Sequence, residues 1–256
     1  MRPLSLILLA LLALPAAAAP PPDYTPWQNL LAKHYDPAQG MNYKALKAQD
    51  KPALDRLRQQ MAQVDPAALP PKDRLAYWIN LYNISVVGIV VDHYPVDSIR
   101  DISTDPIIRL NVFKKDSVAT KSGKISLDTI ENEKIREAFK DPRIHFAINC
   151  AAKSCPPIRP EPYVGARIDQ QLDDQVRKFF RSTHNARFEK NERGVLVHVT
   201  KIMDWFEDDF ETWGGGRVAF LHRYLDPERQ KIIDPSKGNV TLAFNDYSWD
   251  LNDTSR

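Results

Sequence analysis

Both cysteines of the chain lie in one short stretch, "IHFAINCAAKSCPP" (144–157), with a histidine five residues before the first. Thiol catalysis needs a thiolate, a base within hydrogen-bond reach and N–H donors for the developing oxyanion. Cys150 stands where an apolar run ends, and "AAKS" could form one helical turn whose N–H groups lower its pKa. His145 and His198 are the candidate bases. If 143–149 is a regular strand, His145 shares a face with Asn149 and points away from Cys150, so a His145–Cys150 pair requires a turn at Asn149.

Other chemistries fit the same residues. In an exported chain, two cysteines five apart are expected to pair, and a four-residue bend brings their Cα atoms within bonding range. A loop this short would gain only about 2 kcal/mol from the bridge. A metal site built on Cys150, Cys155 and His145 lacks a fourth ligand at finger or ribbon spacing, so no metal is expected. A redox role would use a spacing unlike C-x-x-C. Two inert buried thiols complete the alternatives. No nucleophile elbow, Walker loop, dinucleotide-binding glycine motif or H-E-x-x-H is present, and no cofactor is expected.

The elements that must position this loop are mainly helical. "YTPWQNLLAKHYD" (24–36) and residues 51–63 read as two helices, and "DRLAYWINLYNISVVGIVVDHYP" (73–95) as a third, apolar on nearly all sides and therefore central. Asn80 and Asn83 lie a turn apart on that helix. They either bond to neighbouring backbone or line a polar cleft. A fourth helix spans 124–140, where Asp128 and Glu131 fit a capping box; that structural role competes with catalysis for Glu131. Residues 166–182 form an amphipathic helix, Asp204 and Glu207 suggest a second capping box, and 217–225 makes a last helix. Strands are expected at 143–149, 194–200 and 239–244, with weaker signals at 187–190 and 112–116. The fold class is α+β: a helical N-terminal half packed on a small, mostly antiparallel sheet in a single domain.

Residues 1–18 read as a signal peptide. Arg2 precedes an apolar stretch of about eleven residues, too short to span a bilayer, and small residues follow it up to Ala18. The expected mature chain is periplasmic or secreted, with a Pro-rich linker (19–23), a globular domain (24–252), a tail (253–256) and no further membrane span. With 35 basic against 33 acidic side chains, the global charge gives no sign of nucleic-acid binding.

Six segments then carry a resemblance: "RLAYWINLYN", "YPVDSIRDI", "SLDTIENEKIR", "DPRIHFAINCAAKSCPP", "TKIMDWFEDDF" and "YSWDLN". Their order resembles the domain of unknown function 547 family from about Tyr24 to Asn252. The chain departs from that pattern at Ser248 and Asp250, and at Asn132, where many members carry histidine. The resemblance places Asn80, Asn83, Glu131, His145, Asn149, Cys150, Cys155 and Lys201 inside family motifs and leaves His198 outside, which implies a shared polar site. Two readings follow. One is a thiol-dependent hydrolase or acyl transferase with Cys150 as nucleophile, His145 as base, Asn149 or Glu131 orienting, and Asn80, Asn83 and Lys201 binding. The other is a non-catalytic cell-envelope protein that binds a ligand or partner and has a structural Cys150–Cys155 disulfide. The sequence points to no particular substrate or protein partner.

Overall fold

The computed structural model describes residues 19–102, 111–192 and 194–255; the expected leader lies outside them. The chain is 54% helix and 13% strand, an α+β fold. Helix α1 (Thr25–His34) leads through a small hairpin, β1 (Tyr35–Asp36) and β2 (Gly40–Met41), into α2 (Tyr43–Ala62). Helix α2 begins well before the expected residue 51. Asn42 caps it by accepting from the Ala45 N–H, and Pro52 sits inside it. Proline there forfeits one helical hydrogen bond, which the buried Leu46, Leu54, Leu57 and Met61 outweigh.

Helix α3 (Pro71–His93) runs through the centre. Pro71 occupies the first turn, where its missing N–H costs nothing, and every residue from 75 to 91 is buried. Among the described residues it alone is long and apolar enough to cross a bilayer, and 94% of that window is enclosed by the fold. Gly88 is the point where Arg58 crosses the helix; a Cβ there would meet the Arg58 Cδ at 2.8 Å.

A hairpin, β3 (Val118–Thr120) with β4 (Gly123–Ile125), precedes a continuous helical stretch, α4 (127–139). Its middle, Ile130–Arg136, is wound as a π-helix, with the Glu137 N–H reaching the Asn132 carbonyl. The expected Asp128–Glu131 capping box does not form. Ser126 caps the helix through the Thr129 N–H instead, which frees the Glu131 carboxyl to turn inward. Residues 112–116, expected as a strand, contain a 3-10 turn at Val112–Lys114.

The largest departure is at 143–149. The expected strand is a 3-10 turn, Pro142–Phe146, begun by Asp141 accepting from the Arg143 N–H and by Pro142 in the first position. The run is apolar because it is buried on two sides. Ile144 and Ala147 join the core of α1–α3 and α4, whereas Phe146 joins a second core.

That second core lies beneath the sheet. Strand β5 (Ala186–Asn191) pairs antiparallel with β6 (Gly194–Val199), and β6 pairs parallel with β7 (Val240–Phe244). Alternate β6 residues Val195, Val197 and Val199 are buried, as one covered face requires. They pack with α6 (Ile202–Trp205), α7 (Glu207–Glu211) and α8 (Gly216–Tyr224). Helix α5 (Ile168–Arg181) joins the two cores: Ile168 and Leu172 enter the first, and Val176, Phe179 and Phe180 the second. The second expected capping box is also absent. Asp204 pairs with Lys201 at 2.7 Å and Glu207 with Arg217 at 2.6 Å. Ordered packing extends past 252, where Asp253 bridges to Met41 and is 7% exposed.

Candidate active site

A cavity of about 340 Å³ opens at the seam of the two cores, the position where ligand sites favour forming. The loop 149–156 provides its floor. Behind that loop, Asn83 uses both ends of its amide: Nδ2 donates to the Ala147 carbonyl at 2.9 Å and Oδ1 accepts the Asn149 N–H at 2.8 Å. Asn149 in turn accepts from the Ala151 N–H at 2.8 Å and donates to the Pro156 carbonyl at 2.7 Å, closing the loop on itself. This tight turn places Ala151 at φ +61°, a left-handed conformation that costs a non-glycine residue about 1–2 kcal/mol.

The segment 247–253 straps the loop from outside. Ser248 N–H donates to Ser154 Oγ, Lys153 N–H to the Asp250 carbonyl and Asn252 N–H to the Ala151 carbonyl. The turn brings Cys150 to the cavity together with His145, so strand parity no longer separates them.

Both cysteines are free. Their sulfurs are 2.7 Å apart, the Cys150 N–H donates to Cys155 Sγ at 2.9 Å, and the Tyr247 hydroxyl lies 3.2 Å from Cys150 Sγ. Burial raises the Cys150 thiol, but the contacts with Cys155, Tyr247 and the Ala152 backbone more than offset it, and its pKa falls below the ordinary thiol value. Cys155 is raised well above that value by burial and by the neighbouring Cys150. The pair is asymmetric: the two thiols are shifted in opposite directions.

His145 is 3% exposed and stacks on Phe206 with ring centroids 3.9 Å apart. Its Nε2 lies 2.7 Å from Asp209 Oδ2, and Arg136 grips the same carboxylate with two bonds of 2.8 and 3.0 Å. Burial would raise Asp209, but His145 and Arg136 hold it well below the carboxylate range. Burial lowers the His145 pKa despite Asp209, so the ring is neutral. A neutral imidazole donating from Nε2 keeps Nδ1 as an acceptor, and Nδ1 is buried without a hydrogen-bond partner among the described residues.

Glu131 faces the same space from the π-turn. Burial pushes its carboxyl up to about 7, although the Tyr82 hydroxyl donates to it at 3.1 Å. π-turns recur at functional sites because the extra residue per turn re-aims side chains. Asp128 and Asn132 line this wall as well. Phe113, Trp205, Tyr247 and Trp249 form the aromatic side, and Trp205 is 46% exposed.

Of the residues singled out in the sequence, Cys150, Cys155, His145 and Glu131 meet in the cavity. Asn149, Asn83 and Asn80 do not line it. Asn80 is the counterpart of Asn83, donating to the Tyr163 carbonyl at 2.7 Å and accepting its N–H at 3.0 Å. All three amides are spent on backbone. Lys201 pairs with Asp204 and lies over Phe244 at 5.6 Å, and His198 sits on β6 at 3.4 Å from Glu189; neither reaches the cavity. The carboxylate that holds His145 is Asp209, which sequence reasoning missed, along with Arg136, Tyr82 and Tyr247. Among the described residues no group of three His, Cys, Asp or Glu side chains could hold a metal ion.

Residues 66–180 match the family described as Protein of unknown function, DUF547. This stretch contains Asn80, Asn83, Glu131, His145, Asn149 and both cysteines; Asp209 and Tyr247 lie beyond it. No curated protein and no solved structure matches the chain.

Proposed function

We propose that this chain, which carries a DUF547 domain over residues 66–180, is a thiol-dependent acyl transferase or hydrolase with Cys150 as nucleophile, His145 as base and Asp209 as the group that orients the base. The observation that carries the reading is the bare Nδ1 of His145. It belongs to a ring held at Nε2 by Asp209, in the lining of the cavity that holds the Cys150 thiol. A buried polar atom without a partner costs about 1–3 kcal/mol, a cost that an acceptor waiting for a proton explains. Nucleophile–base contacts are often long without substrate and tighten in the complex. The Tyr247 hydroxyl, 3.2 Å from the sulfur, is placed to donate to the oxyanion of a tetrahedral intermediate.

The competing reading, an envelope binding protein with a Cys150–Cys155 bridge, is favoured by the contact already made between the two sulfurs. One experiment separates the two. Reduced protein is treated with 4-nitrophenyl acetate, and the acetyl group is located by peptide mass spectrometry. The expected result is an acetyl thioester on Cys150 that turns over, is absent in Cys150→Ser, and forms about 100-fold or more slowly in His145→Ala, as loss of a general base implies. Acetylation that ignores His145, or spreads over surface lysines with Cys150 untouched, would sink the catalytic reading.

A further inference from the structure

The cavity has a one-sided character that thiol chemistry alone does not demand. Among the described residues its lining holds no Lys or Arg side chain. Two cations stand against the lining and are already engaged: Arg136 bonds Asp209 and the side-chain Oδ1 of Asn132, and Arg100 lies over the Trp249 ring at 5.0 Å. The charged groups that do line it are carboxyls, Asp128 and Glu131, and Asp128 makes no hydrogen bond or ion pair with another described residue. His145 adds the bare, buried Nδ1 acceptor. The opposite side is aromatic, and Trp205 is the only large apolar side chain exposed among the described residues. Its ring packs on Tyr247 at 4.7 Å and on Trp249 at 6.0 Å, and the Tyr247 hydroxyl reaches Cys150. The aromatic shelf therefore leads directly to the sulfur.

Carboxyls, a bare acceptor and aromatic faces together disfavour phosphates and carboxylates, which would approach Asp128 and Glu131. They select for a cation rich in N–H donors, which ion pairing, hydrogen bonding and the ring quadrupoles all favour. We infer that the acyl acceptor of this site is a primary amine, which enters as its ammonium ion into the cavity lined by Asp128, Glu131, Trp205 and His145. This inference rests on the Cys150 chemistry proposed above.

The step balances without any further reagent. The ammonium gives one proton to the Glu131 carboxylate, and the resulting amine attacks the carbonyl carbon of the Cys150 thioester. A C–N bond forms and the C–S bond breaks. The second nitrogen proton passes through His145 Nδ1 to the leaving sulfur, which regenerates the Cys150 thiol and releases an amide. Glu131, raised to about 7 by burial, exchanges its proton readily at neutral pH.

The test follows where the acyl group goes. Reduced protein is acylated with 4-nitrophenyl acetate and divided between n-butylamine, cationic at pH 7, and hydroxylamine, neutral at that pH; amide, hydroxamate and acid are quantified by mass spectrometry. Transfer to n-butylamine is expected to saturate with amine concentration and to fall about tenfold relative to hydrolysis in Asp128→Asn and in Trp205→Ala, the loss of one ion pair or cation–π contact. Transfer to hydroxylamine should rise linearly and keep its ratio in both variants. Calorimetry of n-butylammonium with Cys150→Ser gives a second readout that needs no acylation, with binding expected and weakened about tenfold when Asp128→Asn is added. Acyl-enzyme that forms but partitions to both nucleophiles alike in wild type and variants would overturn the amine assignment and leave the thiol reading intact. Amine binding without any acyl-enzyme would overturn the acceptor role together with the thiol reading.

Discussion

The two faces of the 149–156 loop are built from similar polar groups and treated in opposite ways. On the back face, Asn83 and Asn149 use every amide end on backbone N–H and carbonyl groups, with distances of 2.7–2.9 Å. On the front face, the His145 Nδ1 has no partner among the described residues, the Glu131 carboxyl is raised to about 7, and Cys150 lines open space. Buried polar groups that hold a fold are satisfied, and each one left bare costs stability. The front is thus where the molecule tolerates incompleteness, and the back is what allows it to do so.

Breaking the back should have the largest effect on stability. Asn83→Ala would leave the Ala147 carbonyl and the Asn149 N–H buried and unpaired, at a cost of about 4 kcal/mol. That is a large share of the stability of an ordinary domain. A urea-unfolding midpoint unchanged from wild type would show that the clamp is dispensable.

The front should respond to pH. The Glu131 carboxyl is raised to about 7 from its ordinary 4.5, so the folded chain holds this proton more tightly than the unfolded chain. The resulting stabilisation is complete below pH 4.5 and is lost as pH rises to 7 and beyond, by about 3 kcal/mol in all. Glu131→Gln cannot lose it. Unfolding free energies of wild type and variant, compared at pH 5 and pH 8, should diverge in the variant's favour at the higher pH; parallel curves would remove Glu131 from the buried wall.

The smallest effect lies on the boundary between the faces. Ala151 sits at φ +61°, and Ala151→Gly relieves about 1–2 kcal/mol of backbone strain while adding about 0.5–1 kcal/mol of unfolded-state entropy. A net gain between about 0 and 1.5 kcal/mol is expected in thermal unfolding, and a loss would mean that the Ala151 methyl group packs more tightly than its conformation costs.

How much of this was legible depended on how locally each feature is encoded. Helix α5 was readable because Ile168, Leu172, Val176 and Phe179 repeat at helical spacing, and α3 because its apolar length admits little else. The run 143–149 was misread because a short apolar segment buried between two cores carries no period of its own; Asp141 and Pro142 were the available signs of a turn. Cys150, His145 and Glu131 were visible as chemistry-bearing types within motifs. Asp209 was not. It follows His145 by 64 residues, in a helix already rich in acids, and nothing local separates the carboxylate that turns inward from its solvated neighbours. Asn80 and Asn83 were visible but ambiguous, since a buried amide can hold backbone or ligand and only tertiary partners decide which.

The strap over the cysteine loop has a bearing on when reactivity arises during the life of the molecule. Tyr247, which contacts the Cys150 sulfur, and Ser248, which pins the loop at Ser154, are more than ninety residues further along the chain. A nascent or unfolded polypeptide carries the cysteines long before it carries the hydroxyl that helps ionise one of them. Such a chain would present two ordinary thiols, and Cys150 would gain its Tyr247 contact only once the segment 247–253 docks. Timing, in this arrangement, is written into the distance between a cysteine and a tyrosine.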